Sequence, residues 1–188
     1  MMRSLVLFFL LFTLFIFGQN DVDRVTMPTK NGKIFYEDVV AVDANLSKDV
    51  LFLRGLKWSA GTTKDLQAPN WVHDKEAGRI IGNVIFNDLA NGIPDAFRHY
   101  SFMVDITVKD GKYRVQLYDV KYQLWEGKNF LGKQYYFAEE EYEKQLNQNR
   151  YLYRGTSLKR LRALEEKLKA TLVELNELMK EPATADDF

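Results

Sequence analysis

The sequence predicts one α+β domain, a curved antiparallel sheet in β-α-β-β-β-β-α order that ends in a long helix. Three features predict it. Residues 102–118 alternate apolar and polar side chains on both sides of Asp110-Gly111, the pattern of a hairpin. Residues 158–180 repeat leucine at three- and four-residue steps, the pattern of one apolar stripe along a helix. Ser47, a good N-cap, stands just before a second apolar-rich stretch.

The hairpin organises the rest. Asp110 and Gly111 both tolerate positive φ, which suits a two-residue type I′ turn. Such a loop sets Lys109 opposite Lys112, Val108 opposite Tyr113, Ile106 opposite Val115 and Val104 opposite Leu117. One face of the pair is then apolar, and the other carries Asp105, Thr107, Arg114 and Gln116. A slip by one residue would turn every apolar side chain outward.

In chain order, residues 1–18 have the layout of a secretory signal peptide. Arg3 supplies the positive start, residues 5–17 are apolar but for one threonine, and Gly18 ends the run. As a helix this run spans about 20 Å, short of a hydrocarbon core of about 30 Å. Cleavage near Gly18 and export to a Gram-negative periplasm or beyond are the expectation. The membrane is then met only through the signal peptide. Residues 19–31 read as a flexible lead-in. A strand is predicted over 33–42, rich in β-branched and aromatic residues.

A helix follows over 48–59, with Leu46 and Leu51 placed as a hydrophobic staple. Gly55 within it either weakens the helix or allows a close contact. Residues 71–74 and 79–86 read as a second hairpin closed by the loop 75–78. Gly82 in its second strand reads as a bulge or bend. Residues 87–96 form a loop, the central hairpin starts near Arg98, and its second strand runs on to Trp125. Residues 138–149 are charged and helix-compatible, with Glu139, Glu140 and Glu141 as a solvated start. Ser157 is placed to cap the last helix, and residues 182–188 form a tail. The domain proper is thus 32–125, followed by an aromatic connection and C-terminal helical region over 126–181.

Composition excludes several functions. The 26 basic and 26 acidic residues cancel, so no general field draws nucleic acid or anionic membrane. Cysteine is absent, which removes thiol catalysis, cysteine-zinc sites and disulfides. The two histidines, His73 and His99, do not form a metal motif. No Gly-x-Ser-x-Gly elbow and no phosphate loop is present. No cofactor is expected, and the reading leans away from an enzyme. A carbohydrate-active enzyme has only the abundance of carboxylates behind it.

The aromatic excess gives the one candidate site. Tyr113, Tyr118, Tyr122, Trp125, Phe130 and Tyr135 run along the end of the sheet and past it. They read first as core and rim, and alternatively as a groove between sheet and last helix for a small apolar ligand or lipid. The leucine stripe covers its own sheet or pairs with a second copy, because Leu161, Leu168 and Leu175 recur at heptad spacing. Monomer and homodimer both remain open.

The order of elements resembles one repeat of the TATA-box-binding-protein fold. The chain is also similar to a family of small exported bacterial proteins of unknown function with a TBP-like fold. The resemblance rests on the signal peptide, Gly32 to Tyr36 with Val39-Val40, the helix from Ser47 to Trp58, Asp74 to Gly78 before Ile80, and Val108 to Tyr113. These are turns, caps and core, so the resemblance implies a fold and no functional residue. The expected function is a non-enzymatic binding or structural module of the cell envelope, with an envelope protein or a small apolar ligand as partner.

Overall fold

The computed structural model describes residues 25–62, 71–89, 96–126, 136–147 and 154–182. Among these, Thr29–Lys30 (β1) and Lys33–Ile34 (β2) pair as a small hairpin. The main sheet contains Tyr36–Ala41 (β3), Val72–Asp74 (β4), Arg79–Leu89 (β5), Ala96–Lys109 (β6), Lys112–Glu126 (β7) and Tyr136–Phe137 (β8). Its strand order is β3-β7-β6-β5-β4, every pair is antiparallel, and β8 pairs with β7. Three helices stand among the described residues: Lys48–Thr62 (α1), Ala138–Asn147 (α2) and Arg154–Lys180 (α3). The α+β class, the antiparallel sheet and the long last helix are as the sequence predicts.

The central hairpin forms in the expected register, from Lys109 opposite Lys112 to Val104 opposite Leu117. Its turn differs. Gly111 is left-handed (φ 68°) and Asp110 is not, so the turn is not type I′. The cause is tertiary. Asp110 Oδ1 accepts the Lys48 amide proton at 2.7 Å, and Gly111 donates to the Leu46 carbonyl at 2.9 Å. Val42 in turn donates to the Gly111 carbonyl at 2.9 Å. The hairpin tip is thereby tied to the start of α1.

The chain opens differently from the expected strand over 33–42. That stretch is broken at Phe35, and its first part folds back on β1. Asn31 (φ 53°) and Gly32 (φ 74°) are both left-handed, the backbone of a type I′ turn. The lead-in expected to be flexible is docked over its described part, because Val25 and Met27 are core residues. Residues 1–24 lie outside the described residues.

Ser47 caps α1 as predicted, its Oγ accepting the Val50 amide at 3.3 Å. Leu46 and Leu51 are both buried. The helix runs past Ser59 to Thr62. Gly55 serves close contact: a Cβ there would lie 2.6 Å from Ile80 Cδ1 on the sheet. Gly82 is not a bulge, since the β5–β6 register is continuous across it. It makes room for the Trp71 indole, which would lie 2.2 Å from an added Cβ. The bulge falls elsewhere, on β7, where the register to β6 shifts between Ser101 and Met103 and Asp119 is left-handed (φ 54°).

The loop expected over 87–96 is shorter, because β5 reaches Leu89 and β6 starts at Ala96. Residues 90–95 lie outside the described residues. Glu139 is buried rather than solvated, and its Oε1 accepts the Ile34 amide at 2.9 Å. Ser157 lies inside α3 instead of capping it, and its hydroxyl donates to Glu141 Oε1 at 2.7 Å. The leucine stripe covers its own molecule: Leu161, Leu164, Leu168 and Leu175 are fully buried. The core thus lies between one sheet face and the helices, and the opposite face is left open.

Candidate functional site

On that open face, β1, β2 and the bulge of β7 line an open cavity of about 490 Å³. It is lined by Lys30, Asn31, Lys33, Phe35, Tyr118 and Asp119, together with Ile34. Local sequence explains each wall. The Asn31-Gly32 turn folds Lys30 and Lys33 onto one side. Phe35 sits between β2 and β3, and its amide donates to the Pro28 carbonyl at 3.0 Å. Its ring stacks on Tyr118, with centroids 6.3 Å apart and planes at 29°. The bulge re-aims Asp119, which pairs with Lys121 at 2.6 Å.

Helix α2 holds the hairpin wall in place. Gln145 accepts the Val25 amide at 3.1 Å and donates to its carbonyl at 3.0 Å. The Tyr142 hydroxyl does the same for Met27, at 3.0 and 3.2 Å. Glu139 adds the bond to Ile34. These three side chains recur at three-residue steps on one helix face, so they track an extended backbone. The backbone at Val25, Met27 and Ile34 is thereby tied to one face of α2.

The charge at this site is positive although the chain is neutral overall. Lys30 Nζ lies 4.6 Å from the Phe35 ring centre. Lys33 and Lys121 lie 5.5 and 5.3 Å from the ring of Phe137, which is 40% exposed. Such cation–ring contacts stabilise modestly at exposed sites. Among the described residues, Lys30 and Lys33 have no carboxylate partner. Beyond the cavity, Arg79 forms a two-point ion pair with the buried Asp105, with Nε 3.0 Å from Oδ1. That hydrogen bond raises the Arg79 pKa. Burial and then the Asp105 charge raise the Tyr118 hydroxyl, so it stays protonated and able to donate. The lining therefore offers flat apolar surface and ammonium groups.

The six aromatics singled out in the sequence separate. Tyr118 lines this cavity. Tyr113 is buried against α3, where its hydroxyl donates to Asn176 Oδ1 at 2.6 Å. Tyr122 stacks on Tyr136 at 5.4 Å and lies tilted against Tyr100 at 6.0 Å. Trp125 stands opposite Phe97 in β7. Phe130 and Tyr135 lie outside the described residues. Where Tyr113 meets the leucine stripe, side chains fill the space between sheet and last helix. A second cavity, of about 300 Å³, lies between residues 42–46 and the end of α3.

Phe35, Lys30 and Lys33 were missed. The Asn31-Gly32 turn flanked by short alternating runs was the available signal. Asp119 carries no such signal, since its backbone is set by the partner strand. The two histidines stand apart, His73 opposite Ile80 on β4 and His99 opposite Asn87 on β6. Burial lowers the His99 pKa. Among the described residues, no group of three His, Cys, Asp or Glu side chains is placed to hold a metal. No described helix is long and apolar enough to cross a membrane.

Residues 36–123 match the family described as a domain of unknown function (DUF4468) with TBP-like fold. Two solved structures share the fold. A TBP-like protein from Parabacteroides distasonis ATCC 8503 is 22% identical, with a TM-score of 0.61 over 83% of this chain and 98% of its own. A DUF4468 family protein from Bacteroides ovatus ATCC 8483 is 17% identical, with a TM-score of 0.63 over 84% of this chain and 92% of its own. No curated protein matches the chain.

Proposed function

Since the chain carries a DUF4468 domain over residues 36–123, which brings a fold and no assigned chemistry, we propose that it is an exported, non-enzymatic binding module of the cell envelope. It takes a small ligand at the cavity between the β1–β2 hairpin and the β7 bulge. The observation that carries this reading is the half-buried Phe35–Tyr118 ring pair that lines that cavity. Aromatic pairs normally lie inside a core; one that lines a cavity offers a flat surface ready for a ligand. Both walls of the cavity use left-handed backbone at non-glycine residues, Asn31 and Asp119. The hairpin turn and the bulge account for both, and together they shape the cavity walls. Export rests on the run of apolar residues after Arg3 and the small residue that ends it.

The earlier alternative, an apolar ligand held between sheet and last helix, finds the described part of that seam occupied by Tyr113 and the leucines. The ligand position therefore moves to the open face. Native mass spectrometry of the protein purified gently from its host's envelope tests the reading. A bound small molecule, lost in Phe35→Ala, is the expected result. A bare chain that gains no mass across a panel of envelope metabolites would sink it.

A further inference from the structure

Resting on that ligand-cavity reading, we propose that the ligand is a small organic anion with a flat apolar body. The argument is one of matching parts. The Phe35–Tyr118 pair supplies a planar apolar surface. Lys30 and Lys33 flank it on the two strands of one hairpin, close to aromatic rings and without carboxylate partners among the described residues. Lys121 stands on the adjoining strand, and its aspartate partner, Asp119, is the one acid lining the cavity.

A purely apolar ligand would leave those ammonium groups without a counter-charge and draw nothing from them. A cationic ligand would meet like charge. A small inorganic anion would leave the ring pair unused. An aryl carboxylate, sulfonate or phosphate uses both parts: its ring lies on Tyr118 and Phe35, and its anionic group meets the hairpin lysines. The lysine stems also cover apolar surface while their heads stay in water, which suits a shallow site.

The lysines are exposed and hold no backbone in place, so changing them costs the fold only their modest cation–ring contacts. Glu139, Tyr142 and Gln145 fix the hairpin through its backbone instead. The lysine charges can therefore be removed while the pocket's shape is kept.

Two fluorescent probes that differ in one group decide the matter. These are 8-anilino-1-naphthalenesulfonate and its neutral parent, N-phenyl-1-naphthylamine. Both are titrated into the folded, exported protein at low salt. The sulfonate is expected to bind about tenfold more tightly, and added salt should erase most of the difference. In Lys30→Gln/Lys33→Gln the sulfonate should weaken about tenfold while the neutral probe changes less than about twofold. Phe35→Ala should weaken both probes.

Equal binding of both probes, indifferent to the lysines, overturns the anionic class and leaves the cavity reading standing. Binding of neither probe overturns the cavity reading as well. Lysine-dependent sedimentation with phosphatidylglycerol vesicles, without probe binding, would assign the surface to a membrane and overturn the small-ligand proposal. Near-UV circular dichroism of each variant confirms that its fold is intact.

Discussion

Arg54 of α1 caps the last helix by donating to the Glu181 carbonyl at 2.6 Å. The same guanidinium reaches the carbonyls of Met179 and Pro182, each at 3.1 Å. Arg54 is 3% exposed. A buried cation at a helix C-terminus meets both the unpaired carbonyls and the negative end of the helix dipole. Three bonds from one planar group also lock the angle between α1 and α3.

Arg54→Met should therefore cost about 3 kcal/mol, the sum of lost charge-assisted bonds and carbonyls left dry. Arg54→Lys should recover only part of this, because an ammonium lacks the forked donor geometry. Urea unfolding of the three proteins checks the order wild type, lysine, methionine.

Two glycines test packing of different rigidity. An added Cβ at Gly82 would strike the Trp71 ring at 2.2 Å, while one at Gly55 would strike the tip of Ile80 at 2.6 Å. The indole is rigid and already set edge-on to Trp58, at 5.8 Å and 86°. The isoleucine tip can rotate away. Gly82→Ala should cost about 2–3 kcal/mol, and Gly55→Ala about 1 or less, since alanine also favours the helix. Gly82→Ala alone should change the tryptophan near-UV dichroism.

Glu139 ties helix α2 to strand β2 through one amide. Glu139→Ala leaves the buried Ile34 amide without an acceptor and should cost about 1–3 kcal/mol. Glu139→Gln keeps an acceptor oxygen and should cost less. Hydrogen exchange at Ile34, slow in the wild type and fast in the alanine variant, reads the same bond directly.

Tyr113 gives a dependence on pH. Burial, and then the Asp38 carboxylate, push its hydroxyl from 10.0 up to about 12. The folded state therefore holds this proton where the unfolded chain has released it. Its contribution is complete below pH 10 and is lost as pH rises from 10 to about 12. Burial, and then Glu165, raise Tyr36 in the same direction, so the two act together. Tyr113→Phe should lower stability at neutral pH by about 1 kcal/mol, through loss of its bond to Asn176, and flatten the decline above pH 10. Urea midpoints measured from pH 8 to 12 test both halves.

The elements that were legible in the sequence are those whose cause is local. A two-residue loop and period-two alternation set the central hairpin to the residue. The leucine spacing of α3 gave its buried stripe, and Ser47 gave the start of α1. The first hairpin was equally legible in Asn31-Gly32, and was missed because its strands are only two residues long. Among the site residues, Tyr118 was found because aromatic residues are conspicuous. Lys30 and Lys33 were not, because surface lysines look alike until a fold groups them.

The sequence by itself determined the fold class, the central register, the apolar face of the last helix and the absence of thiol chemistry. Each follows from spacing or composition within one stretch of chain. Only the tertiary structure decided the turn at Asp110, the burial of Glu139, the slot at Gly82 and the place of the cavity. In each case the deciding partner lies far off in sequence: the start of α1, the backbone of β2, the Trp71 ring, and a hairpin brought against a β7 bulge. A buried polar group takes whatever partner folding brings near, because leaving it unpaired costs more than any local preference gains.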